Sequence, residues 1–168
     1  MDGALVPTPT QTSGPLYSFS LMFEGSEQAV DPGSRGAIRL EGRVFDGDGP
    51  LAYPDCFLEV SQGEQWARTR TDEEGRFRFV VRKPDAAPTP EGEPQAPHLN
   101  VTIFSRGLLK HCSTRIYYPD EEAANADDPV LQLVPEEDRH TLVAREEEGV
   151  LRFDVYLQGE QETVFFAV

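Results

Sequence analysis

Histidine and cysteine are scarce in this chain of 168 residues: histidine occurs only at 98, 111 and 140, and cysteine only at 56 and 112. Neither is arranged as a self-sufficient metal site. There is no Cys-x-x-Cys, and two imidazoles without a third ligand at a recognisable spacing do not close a coordination sphere. Positive charge is also short, with 15 Lys and Arg against 30 Asp and Glu, a net charge of −15. A chain that repels phosphates is a poor nucleic-acid binder, and an anionic membrane surface is disfavoured for the same reason. No apolar run approaches the ~20 residues that span a bilayer. The opening MDGALVPTPTQTSGP has neither the basic nor the apolar region of a secretory signal, which gives a cytoplasmic expectation. No Gly-x-Ser-x-Gly occurs, and no glycine loop suited to cradling phosphate. Two free, mostly buried thiols fit that compartment, with a disulfide as the alternative.

The length is that of one domain with its own core. Residues 1–16 are rich in Pro, Thr and Gly without periodicity and read as an extended arm that would order only by lying on another surface. The domain proper is expected over 17–168. There, period-2 alternation dominates. Ile38, Leu40 and Val44 oppose Arg39, Glu41 and Arg43. Cys56, Leu58 and Val60 alternate with Phe57, Glu59 and Ser61. Phe77, Phe79 and Val81 alternate with Arg76, Arg78 and Arg82. Leu99, Val101 and Ile103 oppose His98, Asn100 and Thr102, and one long run takes Leu151, Phe153, Val155 and Leu157 to one face. Asp46-Gly47-Asp48-Gly49 and Asp72-Glu73-Glu74-Gly75 supply turns. Helical signal is thin: one or two turns over Asp120–Ala126, and a short helix over Pro135–Ala144 with Pro and acids in its first turn. Segment 83–97, with five prolines and three acids, reads as a surface loop. Short strands at this rhythm predict an all-β fold, an antiparallel β-sandwich.

Two places invite chemistry. His98 and Asn100 lie two apart at the head of an apolar strand, so they share a face. They are either a His-x-His ligand pair with one member lost or an ordinary strand that begins with histidine. Arg106 follows that strand, beside Gly107. Its guanidinium would suit a carboxylate in bidentate fashion, or is simply solvated. Cys56, mid-strand among apolar residues, is expected to be inert, and Glu146-Glu147-Glu148 reads as a solvated turn. No catalytic centre follows from the residues alone.

Several stretches together carry a resemblance: TPTQTSGP at 8–15, GRVFDGDGPL at 42–51, DCFLEV at 55–60, TDEEGRFRF at 71–79, APHLNVTIFSRGLLKH at 96–111, TRIYYPDEEAANADDPVL at 114–131 and RFDVYLQGEQETVFF at 152–166. The chain resembles the intradiol ring-cleaving dioxygenases, specifically the α chains of the members built from paired α and β chains. The resemblance implies a sandwich with an N-terminal arm and one or two short helices. It implies a hetero-oligomer of αβ units that cleaves protocatechuate with O2 to 3-carboxy-cis,cis-muconate.

In such enzymes the Fe(3+) sits in the β chain, held by two Tyr and by the histidines of a Pro-x-His-x-His strand. The matching positions here are His98 and Asn100, and no tyrosine lies between Gln62 and Pro97. The resemblance therefore implies that this pair is a relic, that the chain holds no metal, and that no residue of it is catalytic. It assigns Thr12, Ser13 and Gly14 of the arm, together with Arg106, to the wall of the partner's substrate pocket. Two other readings compete: a stand-alone β-sandwich interaction module, and an independent metal enzyme that uses His98 with unforeseen ligands.

Overall fold

A computed structural model describes residues 19–47 and 55–167. Among these residues, nine strands form two facing sheets, with few helical turns. The first sheet runs in the order β4 (Arg76–Arg82), β1 (Ala37–Phe45), β8 (Val150–Arg152), β7 (Arg145–Glu147), with β9 (Val155–Tyr156) also paired to β1. The second runs β3 (Gln65–Arg70), β2 (Cys56–Gln62), β5 (His98–Ser105), β6 (Cys112–Tyr117). The predicted alternation becomes burial directly. Leu40, Val44, Phe79, Val81, Leu151 and Val155 face Leu58, Val60, Leu99, Val101, Ile103 and Ile116 across one core. The arginines of β1 and β4 are left in water.

The antiparallel sandwich holds, with one addition: β1 runs parallel to both β8 and β9. The run expected as one strand over 151–157 is broken in two at Phe153 and Asp154. There the chain crosses β1 at Gly42: Phe153 N–H donates to Glu41 O at 2.9 Å, and Arg43 N–H to Asp154 Oδ1 at 3.0 Å. A Cβ at Gly42 would lie 1.7 Å from the Phe153 carbonyl oxygen. The missing side chain is what lets the two backbones meet.

Strand β3 follows a two-residue turn from β2, through the register Gln62↔Gln65. The helical segments are short, as expected. One is α1 (Glu122–Asp127), and the segment over Glu136–Leu142 is a 3-10 turn rather than an α-helix. These pieces form a lobe over residues 119–143 that packs Leu131, Val134 and Leu142 on Tyr117 and Ala96. The prolines of 83–97 do form a loop, but its end turns inward, burying Gln95 and Ala96.

Candidate functional site

Strand β5 carries both expected features, at opposite ends. His98 and Asn100 open it on the outer face of the second sheet. Arg106 lies just past its C-terminal end, eight residues on, roughly 26 Å away at the rise of a strand. Arg106 occupies a tight turn, closed by Leu108 N–H to Ser105 O at 3.2 Å, in which Gly107 takes φ 94°. Its guanidinium is half-exposed and pairs with Asp55 at 3.1 Å. Arg106 and the His98–Asn100 pair are thus not one site within this chain. Thr12, Ser13 and Gly14, with the rest of the 1–16 arm, lie outside the described residues.

The His98 end has a structure that the sequence did not announce. The β5–β6 register sets His98 opposite Tyr117 and Asn100 opposite Arg115, so all four share the outer face. The 119–143 lobe covers that face, leaving His98 only 2% exposed. Its ring stands 5.6 Å from that of Tyr117, and its Nδ1 meets the Ala96 carbonyl at 2.8 Å. Asn100 spends its amide on Gln62 Oε1, at 3.1 Å.

Arg115 donates to Gln95 Oε1 at 2.7 Å and to the Tyr117 hydroxyl at 3.2 Å, and that hydroxyl donates to Asp128 Oδ1 at 3.0 Å. Asp128 is fully buried and also accepts the backbone N–H groups of Ala96, Val130 and Leu131 at 2.8 to 2.9 Å. A guanidinium and a carboxylate are therefore joined through one phenol. Asp128-Pro129 was a legible signal. An Asp followed by Pro caps a helical turn and satisfies the donors two and three residues on. The Arg115–Tyr117–Asp128 connection needed the hairpin register, which is not visible in sequence.

Burial holds the His98 imidazole below its ordinary pKa, and the nearby Arg115 charge adds to the effect. Burial pushes the Tyr117 phenol up to about 12 and the Cys56 thiol likewise to about 12. Cys56 and Cys112 are both free, and Cys56 has no nucleophilic role at neutral pH. A pH dependence follows. The folded protein prefers neutral His98, so the unfolded chain binds more protons below its ordinary pKa of ~6.5. Stability attributable to His98 is complete above that pH and falls as pH drops toward the depressed folded value. The stability difference between wild type and His98→Gln, from urea titrations, should be larger at pH 7.5 than at pH 5. An unchanged difference would contradict the assignment.

These residues do not fit a ferric ion. The strand offers one imidazole where the chemistry wants several anionic or imidazole donors. Its neighbours are a guanidinium, an amide and a phenol held protonated. Among the described residues no group of three or more His, Cys, Asp or Glu is placed to hold a metal. His111 is exposed just before β6, and His140 is exposed on the lobe with Nδ1 on Glu137 O at 2.6 Å. Neither joins His98. Among the described residues, no helix is long and apolar enough to cross a membrane.

No family model matches the chain. Its fold is shared with hydroxyquinol 1,2-dioxygenase from Pseudomonas putida DLL-E4, at TM-score 0.57 and 17% identity, over 78% of this chain and 59% of that one. It is also shared with catechol 1,2-dioxygenase from Acinetobacter sp. ADP1, at TM-score 0.52 and 17% identity, over 77% and 55%. The architecture is that of the intradiol ring-cleaving dioxygenases. A protocatechuate 3,4-dioxygenase alpha chain from Burkholderia cepacia is 39% identical, with 98% of each chain covered, and one from Pseudomonas putida is 36% identical over 96% of each. The chain belongs to the protocatechuate 3,4-dioxygenase alpha-chain family. The beta chain from Burkholderia cepacia is also related, at 34% identity over 57% of this chain and 45% of that one.

Proposed function

We propose that this chain is the non-catalytic α subunit of a cytoplasmic protocatechuate 3,4-dioxygenase, completing the substrate pocket of an iron-bearing β chain in a hetero-oligomer of αβ units. The observation that carries this reading is the relic strand. A chain related to both subunit types has Asn100 where a second imidazole would stand, and fills the surrounding space with the Arg115–Tyr117–Asp128 connection. The ferric ion, with its power to activate a bound catechol toward O2, would then belong to the β chain.

Two features support a partner. Phe19 and Phe23 are 62% and 61% exposed, and on the edge strand β3 the Arg70 guanidinium lies over Phe19 at 4.3 Å and Arg68 over Trp66 at 4.9 Å. Grouped aromatics in water mark an interaction surface. Arg106 stands past the end of β5 on a tight turn, half-exposed and paired with Asp55. In this reading Thr12–Gly14 approach the substrate through backbone N–H groups, and Arg106 places a cation near its carboxylate. The two free thiols agree with a reducing compartment.

The test is Arg106→Ala in the co-expressed αβ enzyme. Loss of one charge-assisted contact from a partly exposed site costs roughly 1.5 kcal/mol. KM for protocatechuate should rise about tenfold, with a smaller change in kcat. Unchanged kinetics would remove Arg106 from the pocket.

A further inference from the structure

We infer that the corner where β3 turns into β4 is a binding site for an elongated organic anion carrying at least two carboxylates. A cavity of about 420 Å³ opens there, lined by Arg70, Arg76 and Arg78 with Thr69, Glu41 and Asp72. That volume falls in the range of ligand pockets, roughly 300–1,000 Å³. The chain path places the arginines together. Arg70 ends β3 and Arg76 begins β4. Asp72 staples the turn between them: its Oδ1 accepts the N–H groups of Glu74 at 3.0 Å and Arg76 at 2.8 Å, and its own N–H donates to Arg76 O at 2.9 Å. Arg78 lies two residues past Arg76 on the same strand, so both project from one face.

The chain has 30 acids and 15 bases, yet these arginines are short of carboxylates. Arg78 forms no ion pair among the described residues. Glu41, which the register sets directly opposite it, pairs instead with Arg152 at 2.5 Å. Arg76 reaches only Glu74, at a marginal 3.9 Å, and stands directly opposite Arg43. Arg70 lays its guanidinium over the Phe19 ring, 4.3 Å from the centroid. A guanidinium stacked by its face keeps its in-plane N–H groups for an acceptor. Like charges set across adjacent strands destabilise a sheet. The cluster therefore bears a cost that a bound anion relieves.

The shape of the cluster selects the anion. Arg76 and Arg78 are roughly 7 Å apart along the strand, and Arg70 approaches from the other side of the turn. A single phosphate would occupy one or two of these forks and leave most of the cavity to water. A short-chain dicarboxylate or tricarboxylate spans it, with each carboxylate on its own guanidinium in the bidentate manner. Nucleic acid is opposed by the net charge of −15. Opening a catechol ring between its hydroxyl-bearing carbons creates two carboxylates, so the product of the family's reaction is an anion of this class. The site stands without the pocket reading, because its test needs neither a β chain nor turnover.

The test is isothermal titration calorimetry of the full-length chain with cis,cis-muconate, a dicarboxylate. At about 50 mM NaCl, where screening is weak, one equivalent should bind with a Kd of about 1 mM or tighter. Arg76→Gln with Arg78→Gln should weaken binding at least tenfold. Arg39→Gln with Arg82→Gln removes the same charge from the same two strands but outside the cavity, and should leave Kd within about twofold. Inorganic phosphate at equal ionic strength should bind at least tenfold more weakly than the dicarboxylate. Circular dichroism checks that the variants fold, and Arg78→Gln alone is the milder variant, expected to weaken binding in the same direction. No saturable binding by the wild type would overturn the site. Equal loss in the two double variants would reduce it to net charge, and phosphate binding as tightly as muconate would overturn the elongated anion.

Discussion

Asp128→Ala is expected to destabilise the protein by roughly 3–5 kcal/mol, the cost of breaking a buried, fully bonded charge network by removing one partner. The carboxylate has no exposure and accepts four hydrogen bonds, three from backbone N–H groups and one from Tyr117. Without it, those donors are buried unpaired, the turn after Pro129 loses its cap, and the Tyr117 hydroxyl that links it to Arg115 loses its acceptor. Total stability of a domain this size is about 5–15 kcal/mol, so the variant should lose a large share of its urea midpoint. Asp128→Asn tests the chemistry at constant shape, because its amide would point hydrogens at donors. It should cost roughly 1–3 kcal/mol. A loss below about 1 kcal/mol for the alanine variant would mean that the lobe is held by apolar packing alone.

Gly42→Ala should be as damaging for a geometric reason. The added Cβ would lie 1.7 Å from Phe153 O, 2.6 Å from its carbonyl carbon and 2.8 Å from Phe77 Cζ. Two of these atoms are backbone, so no side-chain rotation relieves the clash. Strand β1 must separate from the β8–β9 crossing that it joins by hydrogen bonds on either side. Overpacking of a core by one methyl usually costs roughly 1–3 kcal/mol. Collision with backbone at this distance is expected to exceed that range and to give mostly insoluble protein. Gly47→Ala is the control: its nearest neighbour would be Gln158 Cγ at an ordinary 3.6 Å, and its midpoint should stay close to wild type. Equal behaviour of the two variants would contradict the crossing.

The sheets were legible because their core faces are written in period 2, from Leu40 and Val44 through Phe79 and Val81 to Leu99 and Ile103. What one strand's pattern cannot hold is pairing. The parallel partners of β1, the break at Phe153 and the burial of Phe57 all depend on neighbours. Phe57 sits on the outer side of its sheet, yet it is covered by Phe104, stacked with ring centroids 4.4 Å apart. Strand β3, with Trp66, Arg68 and Arg70 outward, shows no apolar alternation strong enough to declare itself.

The His98–Asn100 pair was legible as a residue pattern, since two positions two apart on a strand must share a face. Its surroundings were not, because Arg115 and Tyr117 join it only through the hairpin register and Asp128 only through the lobe. Distance was the other hidden quantity. Gln95 to Gly107 reads as one informative stretch, but an extended strand carries its two ends apart, and the histidine and the arginine end in different surroundings.

The most direct measurement compares iron content and oxygen uptake on protocatechuate for this chain made alone and for the chain co-expressed with a β chain bearing Pro-x-His-x-His. The account predicts no stoichiometric iron and no turnover for the chain alone, with both appearing in the αβ complex. Stoichiometric ferric iron in the lone chain, with protocatechuate cleaved unaided, would contradict it.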